Sequence, residues 1–421
     1  MRSQYKRIGD YVTQVKLKNT DGSISSLRGI NINKHFMPSV ANINGTDLSK
    51  YRVVKKNQFA FNSMHVGRDE VLPISMLEDD APIILSPAYV VFEVKDEEEL
   101  LPAYLMMWCR RSEFDRNAWF MTDNSVRGGF SWADFCDMEL PIPSIEKQLE
   151  IVHEYNVVND RITLNEQLTQ KLENTAQAIY KQWFVDFEFP ISREYAESIG
   201  KPELEGKPYK SSGGKMEFCE ALCKDVPINS ELKSLGDICK LITDGKHGNC
   251  IDEEGSGYYF ISVKDINNGS IDYANSRQIV KPDFEETHRR TSFSAGDILF
   301  TNTGSIGRMV ILEDEPKTYR TTCQKSVAIL KPDYNEVDTY FLYSLLADSV
   351  GELQELAGGT SQANLLLGDM RSFLVLIPQE RERIAFSELI RKTIEYFHLL
   401  NKEQTQLNNL KSVVLQKMSK A

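Results

Sequence analysis

The 421-residue chain lacks the marks of most catalytic classes. It contains no Gly-x-x-x-x-Gly-Lys-Ser/Thr segment, so an ATP-cradling loop is not expected. It has no Pro-Pro pair, hence no Asn-Pro-Pro-Tyr or Asp-Pro-Pro-Tyr tetrapeptide with which an amino-methyltransferase grips a flipped adenine. No Ser/His/Asp or Cys/His set stands out. No apolar run approaches the roughly 18 residues of a membrane span. Met1 to Val12 is polar, which argues against a signal peptide. Seven cysteines, an odd number spread over a long chain, fit reduced thiols in a cytoplasm better than a disulfide framework. Cys219, Cys223, Cys239, His247 and Cys250 lack paired Cys-x-x-Cys knuckles, so zinc is not expected. Pro282-Asp283 followed by Glu315-Pro316-Lys317 mimics a nuclease pattern, but Pro316 would interrupt the strand that must present it.

Positive charge is also scarce. Lys and Arg number 49 against 61 Asp and Glu, a formal net charge of −12. A lone nucleic-acid binder is usually basic, because neutralising phosphates supplies most of its affinity. If this chain binds DNA, its positive charge must be local, or partners must share the phosphate contacts. A hydrophobic content of 41% with 26% charged residues is otherwise ordinary, and the length allows two or three domains with their own cores.

What is present is a duplication. Lys6-Arg7-Ile8-Gly9-Asp10 answers to Lys233-Ser234-Leu235-Gly236-Asp237, and Phe59-Ala60-Phe61 to Ile298-Leu299-Phe300. Val66-Gly67-Arg68 answers to Ile306-Gly307-Arg308, and Ser125 to Ser361. The offsets stay between roughly 227 and 240 residues, which is one doubled unit and not a short-period solenoid. Each copy ends in a long amphipathic pattern. Ile145, Leu149, Val152, Ile162, Leu168, Leu172, Ala176 and Ile179 recur at three- and four-residue spacing in the first. Ile384, Ile390, Ile394, Phe397, Leu407, Leu410 and Val414 do so in the second. Each seam needs a partner, and an antiparallel pair would bury both. A helix of about 35 residues spans about 50 Å, or about 15 base pairs of B-DNA.

The reading is α+β: two similar globular heads separated by a pair of long antiparallel helices, with a pseudo-two-fold internal repeat. Boundaries are expected at 1–143 for the first head, 144–187 for the central helix and 188–232 for a connector. The second head takes 233–378 and the C-terminal helix 379–421. Expected strands include Gln58–Asn62, Ile83–Leu85, Tyr89–Val94, Asp297–Thr301 and Ser326–Leu330. Leu101–Arg111 and Thr339–Leu353 are expected as matching helices. Prolines break up the connector, which reads either as a floppy linker or as a surface segment anchored by Tyr195, Tyr209, Phe218 and Leu222.

Four loops carry polar chemistry. Asn302–Arg308, with Thr303, Ser305 and Arg308, follows a strand and would suit a phosphate- or base-contacting turn; an ordinary glycine hairpin reads equally well. The first head keeps Arg68 there but offers Met64 and His65 instead. Thr243–Asn249, with Lys246 and His247, has donors and acceptors suited to base edges, or is a plain turn. Gly358–Asn364 supplies Ser361, Gln362 and Asn364, and Thr122–Gly129 supplies Ser125 and Arg127 in the corresponding place. Asn and Gln can pair with adenine and Arg with guanine, although each is more often a loop filler.

Taken together the residues resemble the specificity (S) subunit of type I restriction–modification enzymes. The resemblance runs through Ile142-Pro143 and Glu146-Lys147-Gln148, then Ile179-Tyr180-Lys181-Gln182-Trp183-Phe184-Val185-Asp186-Phe187-Glu188-Phe189-Pro190 and Pro208-Tyr209-Lys210-Ser211-Ser212-Gly213-Gly214. It continues in Asp244-Gly245-Lys246-His247, Gly296-Asp297-Ile298-Leu299-Phe300 and Gly304-Ser305-Ile306-Gly307-Arg308. It implies a non-catalytic, cytoplasmic DNA-binding subunit of a host-defence system. Each target-recognition domain would read half of a split site in double-stranded DNA, with the paired helices as coiled-coil spacer. Two methyltransferase (M) subunits would dock on the helices and methylate adenine, and restriction (R) subunits would join them. No cofactor is expected in this chain; S-adenosylmethionine, ATP and Mg belong to the partners. The second copy reads Pro378-Gln379-Glu380-Arg381 and departs from the Pro-x-x-Glu-x-Gln form of the first. A nuclease or methylase acting alone, and an adaptor whose heads bind protein, are the competing classes.

Overall fold

The structure is a computed structural model, which describes residues 5–39, 45–64, 66, 70–122, 129–359 and 363–419. The chain divides into two compact units, Met1–Thr163 with Gln406–Ala421, and Leu164–Thr405.

The first unit is built on a four-stranded antiparallel sheet in the order Val12–Val15, Tyr89–Val94, Phe59–Asn62, Ile74–Met76. Side chains alternate across a strand. Phe59 and Phe61 therefore enter one apolar cluster, while Ala60 enters another with Val91 on the opposite face. Both faces are covered, which is why Phe-Ala-Phe is continuously apolar. The Pro102–Cys109 helix is buried all round except at Ala103, so it reads as an apolar run without a polar stripe. A capped helix, Trp132–Asp137, closes the core through Phe135, whose ring lies 4.8 Å from that of Phe92. Tyr5–Arg7 then pairs with Glu139–Pro141, so the head's first strand meets its last.

The second unit repeats this order. Its sheet runs Cys239–Asp244, Val327–Pro332, Ile298–Thr301, Met309–Ile311, and Glu231–Ser234 pairs with Leu374–Ile377. The repeated glycines have a steric cause. A Cβ on Gly9 would stand 2.7 Å from Cys136 Cβ, and one on Gly236 would stand 3.2 Å from the Arg371 carbonyl. In each head the first helical turn presses against the last short helix, and only a glycine fits without displacement. The second head adds a three-stranded sheet in which Tyr259–Ile261 runs parallel to Thr321–Cys323 and antiparallel to Arg277–Gln278. It also adds the Lys281–Thr291 helix and a small Ile266–Asn267/Ser270–Ile271 hairpin.

The long helices are Ile145–Tyr180 and Glu380–Lys417. They run antiparallel within each unit. In the first, Lys417 donates to Glu154 at 2.6 Å and Lys411 to Asn159 at 2.8 Å. In the second, Asn165 donates to Glu403 at 2.9 Å, and Tyr180 and Phe184 pack on Phe386. No helix among the described residues is long and apolar enough to cross a membrane.

Three expectations are corrected. Thr339–Leu353 is not one helix but two, Thr339–Asp348 and Val350–Glu355, interrupted at Ser349 alone, where the backbone stays in the right-handed region and Leu353 N–H still donates to the Ser349 carbonyl at 3.0 Å. The buried seam of the first long helix follows Ile151, Tyr155, Val158 and Ile162, leaving Leu149 exposed, and Ile384 and Leu410 are exposed on the second. Ile162 and Ala176 on the first helix and Ile390, Ile394, Phe397 and Val414 on the second are buried as expected, and aromatic Tyr155 joins the first seam. In the connector, Phe218 is 64% exposed and anchors nothing. The anchoring is done by Phe189, Ile191, Ala196 and Tyr209, with the Phe189 and Tyr209 rings stacked at 4.6 Å.

Candidate nucleic-acid interface

Four polar segments of the second head converge at one end of its sheets. The loop after Cys239–Asp244 is tied by main chain: Lys246 N–H donates to the Cys323 carbonyl at 2.8 Å, and Lys325 N–H to the Lys246 carbonyl at 3.1 Å. The turn after Ile298–Thr301 closes on itself. Thr301 N–H donates to the Arg308 carbonyl at 2.9 Å and Gly307 N–H to the Thr301 carbonyl at 3.0 Å. The Thr301 hydroxyl donates to the Ser305 carbonyl at 2.5 Å and accepts from the Arg308 N–H at 2.9 Å. Gly307 has φ +101°, and a Cβ there would lie 2.5 Å from Val350 Cγ1. The break at Ser349 thus also seats a helix against the turn.

These segments enclose an open cleft of about 740 Å³. Among the described residues its lining carries Lys246, Lys264, Arg308 and Lys325 and no carboxylate. That concentration of cations stands out in a chain of net charge −12. Ser262, Asn249, Gln324 and Ser305 add uncharged donors and acceptors.

The cations are not equivalent. Lys246 is only 18% exposed and its ammonium sits 3.0 Å from Glu286 and 3.7 Å from Asp283. The Glu286 hydrogen bond raises its pKa, so it stays charged and is held toward the Lys281–Thr291 helix. Arg308 is exposed, and its guanidinium donates to the Asn267 side chain at 2.7 Å and the Ile266 carbonyl at 3.3 Å. Lys264 and Lys325 are exposed, and among the described residues neither ammonium has a carboxylate partner. Those two charges are free to meet phosphate. His247 is exposed and lies 2.8 Å from Asp244, which also accepts from Arg290 at 3.3 Å.

The structure brings Lys246, His247, Thr303, Ser305 and Arg308 together in one lining. Asn364 does not line the cleft. Its side-chain oxygen accepts from the Thr303 hydroxyl at 2.7 Å, and its backbone pairs with Gly358 at 2.8 and 3.2 Å, bracing the turn from behind. In the first head Met64 is half-buried, with its N–H on the Asn62 side chain at 3.0 Å. His65, Arg68, Ser125, Arg127, Ser361 and Gln362 lie outside the described residues. Sequence reasoning passed over Lys264, Gln324 and Lys325. The signal was Gln324-Lys325-Ser326, a polar stretch directly before the apolar Val327–Leu330 run.

Comparison with known proteins identifies similar chains. Residues 227–411 match the family described as the type I restriction modification DNA specificity domain. The chain is 23% identical over 288 residues to the MjaIX type I restriction enzyme specificity subunit of Methanocaldococcus jannaschii, an alignment covering 67% of this chain and 60% of that relative. It is 22% identical over 429 residues to the HindI specificity subunit of Haemophilus influenzae, covering 92% and 91%. It is 27% identical over 160 residues to the EcoBI specificity subunit of Escherichia coli, covering 38% and 32%. Among solved structures, the type I restriction–modification S subunit from M. genitalium superposes with TM-score 0.55 at 13% identity, covering 98% of this chain and 95% of that one; this likeness concerns the fold.

Proposed function

We propose, for a chain whose residues 227–411 match the type I restriction modification DNA specificity domain family, that it recognises DNA on behalf of partner enzymes. It is itself a non-catalytic specificity subunit. Residues 1–143 and 233–378 each read one half of a bipartite duplex site, and the helices in 144–187 and 379–421 set the spacer. M subunits supply S-adenosylmethionine chemistry on adenine, and R subunits supply ATP- and Mg-dependent restriction.

The observation that carries this reading is the carboxylate-free cationic cleft of the second head. Phosphate contacts position a protein on DNA and base-edge contacts specify sequence; the cleft offers exposed Lys264 and Lys325 for the first and Asn249, Gln324 and Ser305 for the second. Docking of M subunits is supported by apolar residues left uncovered on the helices. These are Leu149, Val157, Leu410 and Val413 in the first unit, and Leu164, Leu389, Tyr396 and Leu399 in the second.

The test is the salt dependence of binding to the target duplex by the chain assembled with its M subunits. Lys264→Ala and Lys325→Ala should each weaken binding to every sequence alike and reduce the salt slope by about one. Unchanged affinity and slope in the double variant would exclude this cleft as a DNA surface.

A further inference from the structure

We infer that Gln324 is a base-reading residue of the second head and that it takes the major-groove edge of an adenine; the inference rests on the DNA-recognition reading above. A carboxamide presents a donor and an acceptor side by side. Adenine presents the matching pair, with N7 to accept from the amide NH2 and N6–H to donate to the amide oxygen.

The second head offers three described candidates for that role, and the structure separates them. Asn364 has committed its oxygen to Thr303 and stands outside the cleft lining. Asn249 is exposed on the loop after Asp244, and among the described residues no backbone hydrogen bond holds it in place. Gln324 is half-buried in the lining, and its amide group has no partner among the described residues. Its backbone, by contrast, is fixed on both sides. Its N–H donates to the Ile261 carbonyl at 2.9 Å, its carbonyl accepts from Val327 N–H at 3.1 Å, and it forms a parallel bridge with Lys246. A reader must be held in place by the scaffold while its recognising atoms stay unsatisfied. Gln324 alone of the three meets both conditions. The neighbouring Lys325, and Lys264 in the same lining, would hold the phosphates that set its register.

The experiment selects a randomised duplex library with the full chain assembled with its M subunits, comparing the parent with Gln324→Ala and Gln324→Glu. The expected result is a loss of about ten- to a hundredfold in preference for A·T at one position of one half-site for Gln324→Ala. Gln324→Glu should shift that position toward C·G, because a carboxylate accepts from cytosine N4. An unchanged selected sequence in both variants, while Lys264→Ala and Lys325→Ala still weaken binding, would overturn the role of Gln324 and leave the cleft standing. If the lysine variants also bind as the parent does, the cleft reading fails as well. Loss of folding in both Gln324 variants would make the residue a structural brace and overturn its assignment as a reader.

Discussion

The two heads share a sheet and differ in what is inserted into it. Both order their four strands alike, and both pair a first strand with a last one beside a long helix. The differences fall between the first strand of the sheet and the next. Residues 16–58 hold a small Arg28–Ile30/Phe36–Pro38 hairpin in the first head. Residues 245–297 hold the Tyr259–Ile261 and Arg277–Gln278 strands, the Ile266–Ile271 hairpin and the Lys281–Thr291 helix in the second. Sheet and helices answer to burial, which a repeated apolar pattern satisfies twice. In the second head the inserted segment brings Lys246, Asn249 and Lys264 to the open end, where they join Arg308 and Lys325 from the turns after later strands. Such a division lets one scaffold carry two different surfaces.

Exchanging residues 233–378 for the corresponding head of another specificity subunit tests that division most severely. One half-site should change completely and the other not at all, read by mapping methylated adenines in DNA from cells that express the chimera with its M subunits. A change in both halves, or in neither, would break the comparison. Next in size is the spacer. Four residues added to each long helix, after Thr163 and after Thr405, lengthen each by about 6 Å. The unread interval between half-sites should grow by about two base pairs at 3.4 Å each, and an unaltered interval would dismiss the helices as a ruler.

Stability sharpens the comparison further. Gly9→Ala forces a Cβ to 2.7 Å from Cys136, whereas Gly236→Ala meets the Arg371 carbonyl at 3.2 Å. Overpacking costs roughly 1–3 kcal/mol, so Gly9→Ala should lower the denaturant midpoint of its unit more than Gly236→Ala lowers that of the other. Equal losses would show that the two turns are not packed as described. The smallest effect is one of pH. Burial holds the His398 pKa below its ordinary value, despite Glu313 at 3.6 Å and with Lys402 beside it. The unfolded chain therefore binds the proton first as pH falls, and stability is lost on acidification through about 6.5. His398→Gln should flatten the fall in melting temperature of the second unit between pH 7 and 5; an unchanged slope would assign it elsewhere.

Much of the fold was legible because it is made of local signals. Ile83–Leu85 and Tyr89–Val94 are strands to the residue, since short apolar runs between turn formers have few alternatives. The Thr339–Leu353 stretch was read as one helix although Asp348, Ser349 and Gly351 interrupt its apolar pattern at the break, and Val350 just beyond it packs against Gly307. The loops were harder. Asn302–Arg308 and Thr243–Asn249 were recognisable as polar loops, but the roles within them follow from neighbours far away in sequence. Asn364 is occupied by Thr303, Lys246 by Glu286, and Lys264 and Lys325 are brought to one lining by strands of the added sheet.

By itself the sequence determined the doubling, the mixed sheet-and-helix composition and the two amphipathic helices, because periodicity and apolar content act over a few residues at a time. Only the tertiary structure decided which face of each helix is covered and which polar side chains are left unpartnered in a common cleft. Those properties depend on atoms hundreds of residues apart meeting within a few ångströms, and no local pattern encodes that distance.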